Sequence, residues 1–409
     1  MSKTLPSVEV ARALMLAAAR PLPPETVALV QAAGRTLVAP VRALRDQPPF
    51  RASAMDGYAV RSSDILTLPA PLRVVGESAA GRGHRGEVQP SEAVRIFTGA
   101  PVPDGADWIV IQENTSRDGE TVLVSAAGEA ANIRPQGGDF QAGAELLPTG
   151  ALLDASALGL AASAGAGMLA CVRRARVSIL ATGAELVAPG GAPGPDQIFE
   201  SVSPAIAALS ADWGAAPRRL EPAGDDAAAI QAAVTAALEA TDLFVVIGGA
   251  SVGDHDLARP AFAALGATLS VQGVAVRPGK PVWFGVLPGG ALVLGLPGNP
   301  ASAQVCARLF LRPLLDALHG RDPQAGLGLV LARAGAALPA NGPREHWMRA
   351  RVSVDRAGRL VAAAFRDQDS GLQTVLAGAN ALLVRPPGAP AAPPGDGVRV
   401  LLLGPPGPP

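Results

Sequence analysis

The segment Leu243–Asp256, with the sequence LFVVIGGASVGDHD, constrains the fold more than any other part of this chain. Its first five residues are apolar and rich in β-branched side chains, which is typical of a strand buried on both faces of a parallel sheet. The run ends at Gly248 and Gly249, and a polar loop with Gly253 and Asp256 leads into a helical pattern. Such a loop leaves backbone N–H groups at the sheet edge where open α/β sheets bind ligands, often anionic ones. The alternative is that the glycines only form a tight turn.

The sequence around this segment predicts a three-layer α/β domain with a largely parallel sheet over residues 175–322. Two more predicted strands end in glycine and polar residues, at Thr182–Glu185 and Leu296–Asn299. Because the carboxyl ends of parallel strands lie on one edge, we expect the three loops to converge there. Ser203 is predicted to cap one helix, and Val271–Val276 is predicted to be one strand.

Three further regions complete a multidomain fold of α/β plus β structure. Residues 1–45 and 140–174 are predicted to form a discontinuous helical linker domain, with a helix capped by Ser7 that runs to Arg20 and a second helix over Glu25–Ala33. Residues 46–139 show short alternating runs separated by Gly and Pro, which predict an inserted β domain. Residues 323–409 predict a compact C-terminal β domain.

Charge and cysteine content exclude several classes of function. The formal net charge is −1, so no general basic field attracts nucleic acid or a membrane surface. Cys171 and Cys306 lie far apart and show neither metal-ligand nor disulfide spacing, which fits two buried thiols in a reducing cytoplasm. The sequence contains no HExxH or GxxxxGK[ST] motif.

The polar residues of the predicted loops suit a phosphate ligand held together with a hard cation. Mg²⁺ is typically bound by one or two carboxylates plus phosphate oxygens, while arginine, lysine and backbone N–H groups hold the phosphates or another oxyanion. Each acid also has a structural interpretation, as a helix cap or a turn residue. The loop residues in question are Asp56, Thr98, Asp139, Glu185, Asp225, Asp254, Asp256, Arg277 and Lys280, and His255 is a further neighbour that could be solvated or capping.

Five motifs, taken together and in chain order, resemble the molybdopterin molybdenumtransferase (MoeA) family, which is similar to the E domain of gephyrin. The resemblance covers nearly the whole chain. The motifs are Ser53–Ala59 (SAMDGYA), Ile96–Pro103 (IFTGAPVP), Gly248–Asp256 (GGASVGDHD), Arg277–Pro281 (RPGKP) and Leu296–Ser302 (LPGNPAS).

The resemblance implies a transferase of molybdenum cofactor biosynthesis. Such an enzyme inserts molybdenum from molybdate into adenylylated molybdopterin, with release of AMP, and uses Mg²⁺. The resemblance also implies an elongated cytoplasmic homodimer, whose active cleft lies between the α/β domain of one subunit and the inserted β domain of the other. Molybdopterin adenylyltransferase and apo-molybdoenzymes are the implied partners.

The same resemblance assigns roles to individual residues of this chain. It implies Glu185, Asp225 and Asp256 as metal-binding acids and Arg277 and Lys280 as cationic positions. The further catalytic positions that it implies are Asp56, Thr98, Asp139 and Ser370. The residues expected to bind the pterin phosphate are Gly248, Gly249, Ser251, Gly253, Pro297, Gly298 and Asn299.

Three positions depart from the pattern of the family. Ala184 replaces a common acid, Val202 stands where asparagine is usual, and Gly273 where some members carry lysine. Ala184 and Val202 motivate an alternative function, a catalytically weakened carrier or scaffold that binds molybdopterin without insertion. A nucleotide-processing enzyme that shares only the α/β domain is a third hypothesis, against which the inserted β domain and Ser53–Ala59 argue.

Overall fold

The structure is a computed structural model that describes residues 4–224, 226–248 and 257–407. The chain divides into two compact units. One comprises Met1–Glu25, Gly34–Thr36 and Cys171–Pro409, and the other comprises Thr26–Ala33 and Leu37–Ala170. The domain boundaries given above stay predictions.

The strands are numbered along the chain. They are β1 Pro24–Ala28, β2 Val41–Arg42, β3 Ala52–Ser53, β4 Gly57–Val60, β5 Ala70–Ser78, β6 Glu92–Ile96, β7 Trp108–Ile111, β8 Thr115–Asp118, β9 Thr121–Val124, β10 Ile133–Arg134, β11 Glu145–Leu147, β12 Met168–Val172, β13 Arg176–Ala181, β14 Leu186–Val187, β15 Ile198–Phe199, β16 Ala216–Arg219, β17 Leu243–Ile247, β18 Thr268–Gln272, β19 Val276–Arg277, β20 Trp283–Val286, β21 Leu292–Leu296, β22 Leu329–Ala334, β23 Glu345–Val354, β24 Leu360–Ala364, β25 Ala381–Arg385 and β26 Gly397–Leu402.

The helices are numbered in the same way. The α-helices are α1 Val8–Leu16, α2 Ala155–Ser163, α3 Val202–Asp212, α4 Ala227–Ala237, α5 Ala258–Ala264, α6 Pro300–Cys306, α7 Arg312–Leu318 and α8 Gln373–Ala377. Short 3₁₀ segments cover Leu29–Gln31, Ser62–Ile65, Gln112–Asn114, Leu238–Ala240 and Ala325–Leu327, and a π-helical segment covers Ala307–Leu311.

The α/β domain is built on a six-stranded sheet in the order β16-β13-β17-β21-β20-β18. The first four strands are parallel and the last two are antiparallel, so the predicted largely parallel sheet is confirmed. Successive side chains of β17 enter different layers, because Val245 packs with Ile206 of α3 and Phe244 packs with Phe262 of α5. This three-layer burial explains the uninterrupted apolar run of β17. Truncating Phe244 to alanine would cost about 3–5 kcal/mol.

The C-terminal β domain is a closed barrel. Strands β23, β24, β22, β26 and β25 pair in that order, and β25 pairs back with β23. The side chains of Met348 and Ala350 face the barrel core, whereas Trp347 belongs to the core that contains the α/β sheet. Strand β19 adds to β23 in parallel. The predicted β structure is confirmed, and helix α8 was not predicted.

The second unit contains a six-stranded sheet in the order β7-β4-β6-β5-β9-β8. Tyr58 and Ala59 of β4 belong to different apolar clusters, one on each face of the sheet. The first residue of β4, Gly57, must lack a side chain, because a Cβ at this position would lie only 1.9 Å from the carbonyl oxygen of Val110 on β7. The alternating runs of the sequence therefore correspond to real strands of an inserted β domain.

The N-terminal predictions are partly wrong. Ser7 caps α1 as predicted, since its Oγ accepts a hydrogen bond from the backbone N–H of Val10. The helix ends at Leu16 rather than at Arg20. The second predicted helix, Glu25–Ala33, is instead strand β1 followed by a 3₁₀ turn. Consecutive prolines before it and the β-branched pair Thr-Val within it favour extended backbone.

Two predictions in the α/β domain also need correction. Helix α3 begins one residue before Ser203, and the carboxylate of Glu200 accepts from the backbone N–H groups of Val202 at 2.9 Å and Ser203 at 2.7 Å. The predicted strand Val271–Val276 is divided between β18 and β19. It breaks at Gly273, whose φ of +127° is accessible to glycine but not to most other residues.

Candidate functional site

Three strand ends of the α/β sheet meet at one edge, as the sequence predicts. The backbone N–H of Thr182 donates to the carbonyl oxygen of Ile247 at 2.8 Å, and that of Gly248 donates to Leu296 at 3.2 Å. Gly248 has φ +89°, and a Cβ there would lie 2.6 Å from the carbonyl oxygen of Thr182. A Cβ on Gly298 would lie 3.5 Å from the Cα of Gly248. Only glycine at position 248 allows the loops to approach this closely.

Part of this edge lies outside the described residues. The positions concerned are Asp225, Gly249, Ser251, Gly253, Asp254, His255 and Asp256. Their predicted roles, including the metal-binding roles of Asp225 and Asp256, stay predictions.

Glu185 is an exposed carboxylate beside this edge. It follows Gly183, whose φ is +146° and where a Cβ would lie 2.4 Å from a carboxylate oxygen of Glu185. The two-stranded pairing of β14 with β15 continues the loop. Within the described ranges, no three His, Cys, Asp or Glu side chains form a group that could hold a metal ion.

A side-chain contact joins the barrel to the sheet edge. The Nδ2 of Asn299 donates to the Oγ of Ser370 at 2.8 Å, and the backbone N–H of Ala301 donates to the carbonyl oxygen of Ser370 at 3.0 Å. Asn299 directly precedes α6, and its side chain makes no capping bond to the helix. Ser370, which the sequence assigns to the last domain, is therefore brought to the loop Leu296–Asn299.

Arg349 is a candidate site residue that sequence reasoning missed. It is fully buried on β23, and its Nη2 donates to the carbonyl oxygen of Asp369 at 2.8 Å, next to Ser370. Its Nε and Nη1 have no hydrogen-bond partner among the residues that the structure describes. Burial lowers the pKa of Arg349, and the carboxylates of Asp367 and Asp369 oppose that shift. Two unpaired donors on a buried cation are what an anion site requires.

The loop that carries Arg277 and Lys280 packs closely against Cys306 of α6. Gly279 has φ +115°, and a Cβ there would lie 2.1 Å from the Sγ of Cys306. The backbone N–H of Val274 donates to the carbonyl oxygen of Lys280 at 2.9 Å. Both cationic residues are exposed, so they are available to a ligand. Cys306, like Cys171, is buried and free as predicted, and burial raises the pKa of its thiol.

Asp56 and Thr98 form a second polar group, within the inserted β domain. An Oδ1 atom of Asp56 accepts from the backbone N–H of Thr98 at 2.7 Å and from its hydroxyl at 2.8 Å. These two bonds hold the pKa of Asp56 below its usual value, and Arg95 adds to the effect. Asp139 lies exposed in a turn after Gly137, where its backbone N–H donates to Gln47 at 2.9 Å. The catalytic roles of these three residues stay predictions.

Three protein-family models match successive regions of this chain. Residues 6–165 match the MoeA N-terminal region (domain I and II), residues 178–317 match a probable molybdopterin binding domain, and residues 331–403 match the MoeA C-terminal region (domain IV). A molybdopterin molybdenumtransferase from Nostoc sp. is 34% identical over 386 residues, which cover 93% of this chain and 88% of that protein. The chain belongs to the MoeA family.

Other relatives agree with this assignment. A molybdopterin molybdenumtransferase from Bacillus subtilis is 32% identical over 390 residues, covering 93% of this MoeA-family chain and 90% of the relative. The crystal structure of a molybdopterin biosynthesis MoeA protein from Pyrococcus horikosii superposes with a TM-score of 0.80 at 26% identity, covering 98% and 100% of the two chains. The resemblance and the fold class drawn from the sequence are thus confirmed. Among the helices described for this MoeA-family chain, none has the length and apolar character needed to cross a bilayer.

Proposed function

We propose that this MoeA-family protein inserts molybdenum, supplied as molybdate, into molybdopterin. The observation that carries the proposal is the buried guanidinium of Arg349, which has two donors unpaired among the described residues. It bonds the carbonyl oxygen of Asp369, and the hydroxyl of the next residue, Ser370, contacts Asn299 at the sheet edge. An unpaired buried cation costs folding free energy, so its retention is best explained by an anionic ligand. The names of the relatives from Nostoc sp. and Bacillus subtilis describe the same activity.

The cationic side chains would hold the oxyanion during insertion. A guanidinium presents a planar fork of donors that matches two oxygens of a tetrahedral anion, and Lys280 on the neighbouring loop adds a point charge. Asn299 orients the hydroxyl of Ser370 through their 2.8 Å hydrogen bond. These groups would neutralise the molybdate charge while the pterin is brought to it.

The glycine-bearing sheet edge would bind the phosphate part of the pterin. Gly248 and Gly298 leave the backbone bare at the carboxyl ends of β17 and β21, where phosphate oxygens can approach N–H groups. The proposal includes the finer chemistry that the sequence resemblance implies, namely an adenylylated molybdopterin substrate and the release of AMP.

The donor chemistry at this edge fits Mg²⁺. Glu185 is an exposed carboxylate beside the proposed phosphate site, and Mg²⁺ usually takes one or two carboxylates together with phosphate oxygens and water. Glu185, with Asp225 and Asp256, would hold the ion, which would supply positive charge to the phosphate oxygens when bound. A cytoplasmic homodimer that receives its substrate from an adenylyltransferase and passes its product to apo-molybdoenzymes is also part of the proposal.

Turnover by purified variants tests the insertion reaction. Wild-type protein with adenylylated molybdopterin, molybdate and Mg²⁺ should release AMP only when molybdate is present. Arg349→Gln should lose at least about 100-fold in rate, since a charged donor to the anion is removed. Arg351→Gln, an exposed arginine on the same strand, is the matched control and should retain the rate. Equal rates for the two variants would refute the role of Arg349.

Two of the three departures from the family pattern, Val202 and Gly273, give little support to the alternative carrier function. Val202 is buried in the core under α3, and a side chain on Gly273 would meet Leu5 at 2.9 Å. Both departures thus have a packing explanation that leaves the proposed oxyanion residues unchanged. A pure carrier would bind molybdopterin tightly and release no AMP with either wild-type protein or Arg349→Gln.

A further inference from the structure

A row of basic side chains crosses three neighbouring strands at one end of the barrel. His346 of β23 pairs in register with Arg277 of β19 on one side and with Arg385 of β25 on the other. Residues directly opposite each other on neighbouring strands project to the same face of the sheet. The row therefore places two arginines on one face of the sheet, with a histidine between them.

The three side chains line a pocket of about 440 Å³. The exposed Arg366 lines the same pocket, together with the carboxylates Asp367 and Asp369 and several uncharged residues. Each carboxylate accepts a backbone hydrogen bond within its own turn, Asp367 from Asp369 and Asp369 from Gly371, both at 2.8 Å. Three arginines face two carboxylates, so the pocket carries an excess of positive charge.

Two of the lining side chains are buried and have unpaired donors. His346 and Arg385 are each 7% exposed, and within residues 4–224, 226–248 and 257–407 neither His346 Nε2 nor Arg385 Nε has a hydrogen-bond partner. Arg385 is anchored through Nη2, which donates to the carbonyl oxygens of Pro339 and Pro390. Burial, with Arg277, Arg349 and Arg344 nearby, lowers the pKa of His346 to about 4. The imidazole is therefore neutral at pH 7, and an Nε2–H donor can bond an anion without adding repulsion.

The pocket adjoins the group around Arg349, since Asp369 lines the pocket and accepts a hydrogen bond from Arg349, but His346 and the Arg349 side chain lie on opposite sides of β23. Met348 packs in the barrel interior while Trp347 packs into the core of the α/β domain, so odd and even positions of β23 face opposite sides. His346 shares the side of Met348, and Arg349 shares the side of Trp347. Arg277 is near both groups, because it lowers the pKa of Arg349 as well as that of His346.

We propose that the end of the barrel binds a second tetrahedral oxyanion, free or as a phosphomonoester, through His346, Arg385 and Arg366. The ligand accepts from the unpaired Nε2–H of His346 and Nε–H of Arg385, and Arg366 closes the exposed side. A pocket of about 440 Å³ lies within the range of small-molecule sites and exceeds the space that one tetrahedral anion fills, which favours an esterified phosphate. The proposal does not rest on the proposed insertion reaction.

Calorimetric titration of the full-length protein tests the site with two probes, inorganic phosphate and glycerol 2-phosphate. The titrations are made in the Arg349→Gln background, so that the other cationic group cannot account for binding. Arg385→Gln should weaken binding at least about tenfold and His346→Phe about threefold or more, because each removes a buried donor. Tighter binding of the ester than of phosphate identifies a phosphomonoester ligand, and equal binding identifies a free oxyanion.

Two further variants separate binding from folding. Arg366→Gln changes an exposed side chain, so it leaves the fold intact and should still weaken binding severalfold. Arg356→Gln removes a charge from an exposed turn of the same domain, outside the pocket, and should leave binding unchanged. Phosphate binding that is unaffected by both Arg385→Gln and Arg366→Gln, or that is absent in the Arg349→Gln background, would overturn the proposal. Loss of AMP release alone bears on the insertion reaction and not on this pocket.

Discussion

Replacing Arg349 by methionine is expected to stabilise the ligand-free protein while it abolishes molybdenum insertion. The guanidinium is fully buried, and two of its nitrogens have no hydrogen-bond partner in the described part of the chain. Methionine has a similar length and fills irregular space in a core without polar atoms. The substitution thus removes a charge that has been taken out of water without full compensation.

The size of the effect follows from opposing contributions. Each unpaired buried donor costs about 1–3 kcal/mol, and methionine removes both. The change also removes the 2.8 Å hydrogen bond to Asp369 and the attraction of the nearby carboxylates, which together offset part of the gain. Replacing buried ionic groups by apolar ones of similar volume often stabilises by about 1–4 kcal/mol. We expect a net stabilisation of about 1–3 kcal/mol for Arg349→Met.

Native-state hydrogen exchange at the amides of β23 measures this free energy locally, which suits a chain of several domains. Arg351→Met on the same strand is the control and should change protection by less than about 0.5 kcal/mol, since this arginine is exposed. Molybdate at about 100 times its dissociation constant should add about 2.7 kcal/mol of protection to the wild type and none to Arg349→Met. A destabilised Arg349→Met variant that still gains protection from molybdate would refute the reasoning.

Three other predictions address the fold and the polar loops. Gly248→Ala should lower the free energy of unfolding in urea by about 2–4 kcal/mol, because this position has a positive φ and a Cβ would clash with a carbonyl oxygen. Gly298→Ala should lower it by less than about 1 kcal/mol, and equal losses for the two variants would contradict the close approach of the loops. Asp242 accepts hydrogen bonds from Arg173 and Arg176, which lower its pKa, so its carboxylate stabilises the fold above a pH of about 4 and this contribution is lost on acidification. Asp242→Asn should therefore lower the free energy of unfolding by about 3 kcal/mol at pH 7, and that free energy should fall less steeply with acidification than in the wild type. Thr98→Val should raise the pKa of Asp56 in an NMR titration, because one of its two hydrogen bonds from Thr98 is removed, and an unchanged pKa would show that this hydroxyl does not act on it.

The sequence predicts the parts of this fold in which local pattern and tertiary burial agree. Leu243–Ile247 is apolar at every position because both faces of the strand are covered, and its glycine end is needed for contact with the neighbouring loop. The helical pattern over Glu25–Ala33 led to a wrong prediction of a helix, because the prolines before it and the β-branched residues within it favour extended backbone. Strand β18 ended early because Gly273 adopts a backbone conformation that the apolar pattern does not reveal.

Arg349 could not have been found from local pattern alone. An arginine in an alternating strand is ordinarily exposed, and its neighbour Arg351 is. The burial of Arg349 comes from long-range packing between the barrel and the segment that carries Asp369, which no short window of sequence contains. The sequence offers one signal for the burial of Arg349. It lies two residues from Trp347 on a predicted strand, and alternate residues of a strand face the same side.

The central claim is that this protein puts molybdenum into molybdopterin. The most direct test incubates the purified protein with adenylylated molybdopterin and molybdate, separates the released pterin, and measures molybdenum bound per pterin by mass spectrometry. We predict close to one molybdenum atom per pterin for the wild type, with one AMP released for each, and background molybdenum for Arg349→Gln. Pterin that stays metal-free with the wild-type protein, at molybdate concentrations that saturate binding, would contradict the account.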